Sequence, residues 1–524
     1  RHSSAMLFVS DELRESRDFV LEAVLRGCSL EYVKAHLKTW CIRRDELRAS
    51  MRACVDSRDV DGLSKVIQDA EAHELPESDI AEARLALAKL VKFSEVGSLW
   101  EPLRPAADGS LAPVALIKGT WLLELSRRGG ILPRRQDLPP EGIWDVRELK
   151  EDAEAYENSS RKHRPHHVVA VSYCWLRREH PDPHGEQLKV LSSFIERRLA
   201  DLGPAVDLAV FLDYCSLFQE PRSDEQAAAF KESLNSVSTW YAHEKTEKWL
   251  LTRPPETCSL PESMEALVPT EAARQGQAVP PYQQRGWTFF EHTIAELLAC
   301  EGRTRSLLID AGRAPGNEPL PKWGLVRWRC SAQQSPPRTP DSFCKELAAK
   351  TFSDVGDLEV LAELYRVTFS EVAASTKSLI FCDMNWGDEE AAGLADAIKH
   401  CSLLQIIELE GNCFGDTSVS ELFGAFTACP LLHRVVLRAN RIGDAGAQRL
   451  AGALPECKRL EGLDLSFNVI GNAGASSVVS MFEQGAHPSL RELRLNSNDI
   501  GGFMKGELRR AAEASQGHGF ELHL

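Results

Sequence analysis

The chain has 524 residues, 43% of them apolar and 26% charged, which is the composition of a folded protein long enough for several domains. Its formal charge of −16 argues against nucleic-acid binding through a broad basic face, because affinity for a phosphate backbone comes from Lys and Arg neutralising phosphates. No apolar run approaches the roughly 18 residues of a membrane span, so neither a nucleic-acid partner nor a membrane-spanning segment is expected.

The first residues, "RHSSAMLFVSDELRES", carry neither an initiating Met nor an apolar signal segment. A fragment is expected, with a lost targeting segment left open. The 14 cysteines include no Cys-x-x-Cys pair and fall in apolar stretches, as at Cys54, Cys300 and Cys382. They read as reduced thiols of a cytoplasmic protein, not as a disulfide framework or zinc ribbon.

Residues 1–96 read as a helical module. Leu63, Val66, Ile67 and Ala70 follow the i, i+3, i+4, i+7 pattern of an amphipathic helix. Ser78 is the expected N-cap of "DIAEARLALAKLV", with Ile80, Ala83, Leu87 and Leu90 facing inward. Residues 97–165, rich in Pro and Gly, form an irregular connecting region.

At residue 166 the pattern changes. "HHVVAVSYCW", "VDLAVFLDYC", "EKWLLT" and "TRSLLID" are short apolar runs separated by helical stretches, with "GLVRWRC" as a candidate fifth strand. Strict strand–helix alternation over 166–314 predicts a parallel sheet with helices on both faces and a ligand site at the carboxyl ends of its strands. Cys174–Trp175 and Asp213–Tyr214 fall at those ends. Residues 315–376 form a Pro-rich connector and a helical pair.

One helix in this region, within "QQRGWTFFEHTIAELL", carries an oddity. Trp287, Phe290, Ile294, Leu297 and Leu298 share one face, and Glu291 lies among them. A carboxylate among large apolar groups is costly unless it is paired, hydrogen-bonded or put to use. Pairing with Arg285 is the structural alternative to a functional role.

From 377 to 524 the chain repeats. "LHRVVLRANRIGDAGAQRLAGAL" and "LEGLDLSFNVIGNAGASSVVSMF" align without gaps. Asn412, Asn440 and Asn468 recur every 28 residues, Asn498 follows, and Met384 occupies the corresponding place in an atypical first unit that fits a capping position. Each unit reads as strand, turn and helix, with the Asn amide satisfying the backbone of its own turn. This pattern resembles leucine-rich repeats of the ribonuclease-inhibitor type. The resemblance implies an α/β solenoid whose strand-lined concave face binds a protein partner. Ran GTPase-activating proteins share the repeat class, which adds a repeat-based GTPase regulator as a further alternative.

Three blocks in the α/β region, "VSYCWL" at 171–176, "FLDYCSLFQ" at 211–219 and "RGWTFFE" at 285–291, together resemble the HET (heterokaryon-incompatibility) domain family. Ser172, Tyr173 and Trp175 match its first block, Asp213 and Gln219 its second, and Arg285, Trp287 and Glu291 its third. Leu176, Ser216, Phe218 and Phe290 depart from it. HET domains are distant relatives of TIR domains and share their flavodoxin-like sheet. The spacing of Trp287 and Glu291 is similar to the helix motif of NAD-cleaving TIR domains.

The resemblance implies two functions. One is a signalling scaffold in which the HET/TIR-like domain self-associates and no cofactor is required. The other is an NAD nucleosidase in which NAD is the substrate. There Glu291 would stabilise positive charge as nicotinamide leaves, and Tyr173, Trp175, Asp213 and Trp287 would line the pocket. "EHPDPHGE" reads as a loop before a helix and not as a metal site. The chain holds neither G-x-x-x-x-G-K-[S/T] nor G-x-S-x-G, which disfavours a P-loop nucleotide switch and an α/β-hydrolase.

Overall fold

Asp59 accepts the backbone N–H of Gly62 at 3.0 Å and starts a helix of the N-terminal unit. The structure, a computed structural model, describes residues 35–105, 110–157, 167–204, 206–253, 280–297, 308–314, 319–354, 356–485, 489–516 and 520–524. The chain divides into two compact units, Arg1–Lys92 and Phe93–Leu524.

In the first unit α1 (Ala35–Ser57), α2 (Val60–Ala72) and α3 (Glu77–Val91) close on Leu47, Met51, Leu63, Ile67, Ile80 and Ala83. Ser78 is not the cap of α3. The helix begins at Glu77, after Pro76, so Ser78 lies inside its first turn. Leu87 and Leu90 are only partly buried. Arg44 forks onto Asp79, a pair almost sealed from solvent.

The second unit is built on two sheets. The first has the order β1 (Ile117–Lys118), β3 (Ala209–Phe211), β2 (Val168–Tyr173), β4 (Glu247–Leu251), β5 (Leu308–Asp310). The last four strands are parallel, and β1 pairs antiparallel to β3, Ile117 opposite Val210. The region read as an irregular connector therefore supplies an edge strand, a single helical turn at Gly97–Trp100 and the longer helices α4 (Gly119–Arg127) and α5 (Val146–Glu157).

Side chains alternate as the pleat demands. Val168, Ala170, Ala209, Phe211 and Leu250 enter the core on one face. Val169, Val171, Val210, Trp249 and Leu251 enter the core on the other. The second face is covered by α4 and by α6 (Glu186–Leu202). The first is covered by α8 (Val237–Ala242), with α7 (Asp224–Leu234) before it, and by α9 (Gly286–Ala295).

"GLVRWRC" is not a strand. It forms α10 (Trp323–Arg329), because Trp323, Val326 and Cys330 fall at i, i+3 and i+7 and are buried in the core beneath, Trp323 against Phe194 and Trp249. A run this short satisfies both periods, and the available cover decides between them.

The connector and its helices, α11 (Pro340–Leu347) and α12 (Asp357–Ser375), join the two sheets. An aromatic series runs from Phe289 through Phe343 and Tyr365 to Phe369, and the two sheets share one continuous apolar core.

The second sheet is parallel and strictly sequential: β6 (Ser378–Ile380), β7 (Ile406–Glu408), β8 (Arg434–Val436), β9 (Gly462–Asp464), β10 (Glu492–Arg494) and β11 (Glu521–His523). Helices α13 (Asp388–Ile398), α14 (Asp416–Phe426), α15 (Asp444–Ala453), α16 (Asn472–Glu483) and α17 (Gly502–Gln516) follow the first five strands.

Candidate functional site

The strand order of the first sheet reverses at β2, whose neighbours β3 and β4 follow it on opposite sides. The carboxyl ends of such strands are where ligands of open α/β sheets bind. The three motif blocks meet there. Ser172, near the end of β2, donates to the Glu291 carboxyl from α9 and lies 2.5 Å from the Tyr282 hydroxyl. The Tyr241 hydroxyl donates to the Val171 carbonyl at 3.1 Å and also lies against Glu291.

Glu291 is 6% exposed. Burial pushes its pKa well above the carboxylate range and the Asp213 charge adds to this. The hydroxyls of Ser172 and Tyr241 pull the other way. The group is thus held neutral to a higher pH than an exposed glutamate. Arg285 donates to the carbonyls of Trp175 at 2.7 Å and Pro280 at 3.0 Å.

Asp213 stands one residue beyond β3. Its carboxylate accepts the Trp175 indole N–H at 2.7 Å and the Tyr214 N–H at 2.6 Å, and burial raises its pKa against those bonds. The Tyr173 hydroxyl is close enough to Asp213 for that charge to raise its own pKa further. The Tyr173 hydroxyl in turn helps to hold the Asp213 carboxyl down against the effect of burial. Gln219 braces the turn by donating to the carbonyls of Leu217 and Asp213.

Trp287 does not join this group. It is half-buried, and its indole N–H donates to Asp357 of α12 at 2.9 Å. Nor is α9 buried on one face only. Thr288, Phe289, Phe290, Glu291, Thr293 and Ile294 are all enclosed, because α8, α11 and α12 surround it. Leu298 lies outside the described residues. In "EHPDPHGE", Asp182 is fully buried and accepts the N–H groups of Glu186 and Leu188 at the start of α6, while His180 bonds the Leu132 carbonyl.

The repeats carry a second constellation. The Asn440 amide donates to the Leu437 carbonyl of its own turn and to Leu409 of the preceding unit, and it accepts the Phe414 N–H of that unit. Asn412, Asn468 and Asn498 do the same one unit apart. The amide therefore joins neighbouring turns as well as satisfying its own. Met384 has no preceding unit to serve. There Trp386 seals the end, its indole donating to Gln334 at 3.0 Å.

Two further ladders accompany the Asn series. Asp388 accepts from Gly415 and Ser418, Asp416 from Gly443, Asp444 from Gly471 and Gly474, and Asn472 from Gly501, so each caps the next helix in the stack. Cys401, Cys429 and Cys457 form a buried thiol row, with pKa values pushed by burial to about 12, 12 and 11. Both were visible as the same 28-residue spacing.

The residue before each ladder Asn is left-handed: Gly411, Ala439, Phe467 and Ser497, with Asp383 before Met384. Phe467 is the bulky one, at φ 57°, 46% exposed, with the Arg438 guanidinium 3.9 Å from its ring centre. Val469 and Phe503 are also exposed, at 55% and 80%.

Residues 428–451, 457–479 and 486–502 match the Leucine Rich repeat family model. No HET or TIR family model matches the chain, and no curated protein matches it. No helix among the described residues is long and apolar enough to cross a membrane. The units within residues 428–502 are leucine-rich repeats, a module that generally mediates protein interaction.

Proposed function

We propose that the chain is an intracellular signalling scaffold. Its repeats bind a protein partner through their strand-lined face and the adjoining rim, and its flavodoxin-like, HET/TIR-like domain mediates assembly. The observation that carries this is Phe467. An aromatic held in a left-handed conformation costs about 1 kcal/mol or more, against which the fold sets the contact with Arg438 while leaving 46% of the residue exposed. An outlier of this kind is a reason to look for function. The test is affinity capture with full-length wild type and with Phe467→Ser/Val469→Ser at equal thermal stability. Loss of a stoichiometric bound protein in the double variant is expected. An unchanged set of bound proteins sinks the reading.

A second reading is supported by the meeting of Ser172, Asp213 and Glu291 at the strand ends: cleavage of NAD, in which Glu291, on losing the proton that burial makes it hold, would stabilise charge at the ribose as nicotinamide leaves. Trp287, whose indole N–H donates to Asp357, is left out of this reading. Incubation of the full chain with NAD tests this reading through nicotinamide release. Release by wild type and none by Glu291→Ala is the expected pair, and no release by assembled wild type ends it.

A further inference from the structure

Helix α10 is held to the sheet by Trp323, Val326 and Cys330, which are 3%, 0% and 1% exposed. These three complete its packing, yet the helix carries a second apolar pair that the fold leaves outside. Leu325 is 39% and Trp328 61% exposed. Lys322, Leu325 and Arg329 are all exposed and follow one another at i, i+3 and i+7, with Trp328 beside them. The surrounding segment, 320–339, holds four basic residues (Lys322, Arg327, Arg329 and Arg338) and no acidic one, in a chain of net charge −16.

On α7 the same spacing appears with opposite charge. Glu225, Ala228 and Glu232 stand at i, i+3 and i+7, all exposed, with Asp224 and Ala227 exposed beside them. One helix thus presents cation, apolar side chain, cation. The other presents carboxylate, methyl, carboxylate at equal intervals, with one exposed cation, Lys231, beside Glu232.

The two helices serve different faces of the sheet. Trp323 and Val326 belong to the core under α6, while Phe230 and Leu234 of α7 pack toward the core under α9. A two-fold contact of α10 with itself would set cation against cation, Lys322 against Arg329 when antiparallel, whereas α10 against α7 pairs opposite charges.

We propose that α10 of one copy docks on α7 of a second copy, antiparallel, with Trp328 and Leu325 covering Ala228 and Ala227. Such a contact joins two different patches, so it is heterologous and propagates head to tail. The proposal rests on the assembly reading above and supplies its surface.

The test is sedimentation of the full chain over a range of concentrations and salt. Wild type self-associates, and the association weakens about tenfold or more between about 0.05 and about 0.5 M salt. Trp328→Ser, Arg329→Glu and Glu225→Arg each weaken it about tenfold or more at unchanged melting temperature. The double charge swap Arg329→Glu/Glu225→Arg restores it.

If wild type assembles and the single variants assemble equally, the surface is wrong and the assembly reading stands. If wild type stays monomeric throughout, both fall. If wild type is monomeric but pellets with anionic vesicles through Trp328, the helix is a membrane contact and the proposal is overturned.

Discussion

The hydroxyl of Ser172 donates to the carboxyl of Glu291, joining the first and third motif blocks across the end of β2. Glu291 is enclosed and its pKa is raised chiefly by burial. A carboxyl whose folded pKa lies above its unfolded value keeps its proton longer in the fold, so the stability it contributes at low pH is lost as pH rises above about 4.5. Glu291→Gln stays neutral and keeps the shape. Relative to wild type it is expected to be more favourable at pH 8 than at pH 4.5, read from urea unfolding at both. Equal effects at the two pH values contradict the assignment.

His167 and His292 are both held neutral, with pKa values lowered to about 4 by burial and by Arg198 and Arg338 respectively. Their unfolded pKa is near 6.5, so the stability they confer is complete above that pH and is lost as pH falls toward 4, about 3 kcal/mol each. Glu296, raised by burial to about 7, runs the opposite way between 4.5 and 7 and offsets roughly one of them. Glu291 runs the same way as Glu296, so the sign that isolates the imidazole is the relative one: compared with wild type, His167→Gln is expected to be more favourable at pH 4.5 than at pH 7, read from denaturation midpoints at both.

Gly446 lies where the next stacked unit crowds the Asp416 cap. An added Cβ would stand 2.5 Å from Asp416 Oδ1 and 2.8 Å from Ile442 Cγ2. Gly446→Ala is expected to cost about 1–3 kcal/mol, whereas Gly452→Ala, where a Cβ meets nothing within 4 Å, is expected to be neutral or stabilising. Parallel thermal melts decide between them, and equal melting temperatures would refute the close approach.

Asn440→Ala leaves the Leu409 and Leu437 carbonyls and the Phe414 N–H without their amide partner. A loss of about 2–4 kcal/mol is expected, with hydrogen exchange accelerated in the 409–414 turn as well as in 437–440. Acceleration confined to 437–440 would mean that the amide serves its own turn alone.

The parts legible in sequence are those whose signal is local or periodic. The Asn412–Asn440–Asn468 interval announces the repeat because each unit pays the same hydrogen-bond requirement. The apolar runs around Val169, Val210 and Trp249 announce strands because they are buried on both faces. The aspartate ladder hides in plain view. A carboxylate in the first turn of a helix satisfies the dipole of that helix, and only the stacking shows that Asp416 serves the next one. Strand β1 has no local signature, being two residues long and held by β3. Trp287 keeps the motif spacing but turns to Asp357, a partner 70 residues away that no spacing reveals.

The side-chain ladders have a directional rule. Each turn Asn (Asn412, Asn440, Asn468 or Asn498) completes the unit before it, and each helix-start residue, Asp388, Asp416, Asp444 or Asn472, completes the unit after it. A unit excised at any 28-residue interval therefore takes with it one donor set and one acceptor set, and the flanking units meet with the same bonds remade. In-frame duplication or deletion of a repeat leaves no buried polar group orphaned within the array. The number of repeats is thus free to change, while Trp386 ties the first unit to the 315–376 connector at one fixed end.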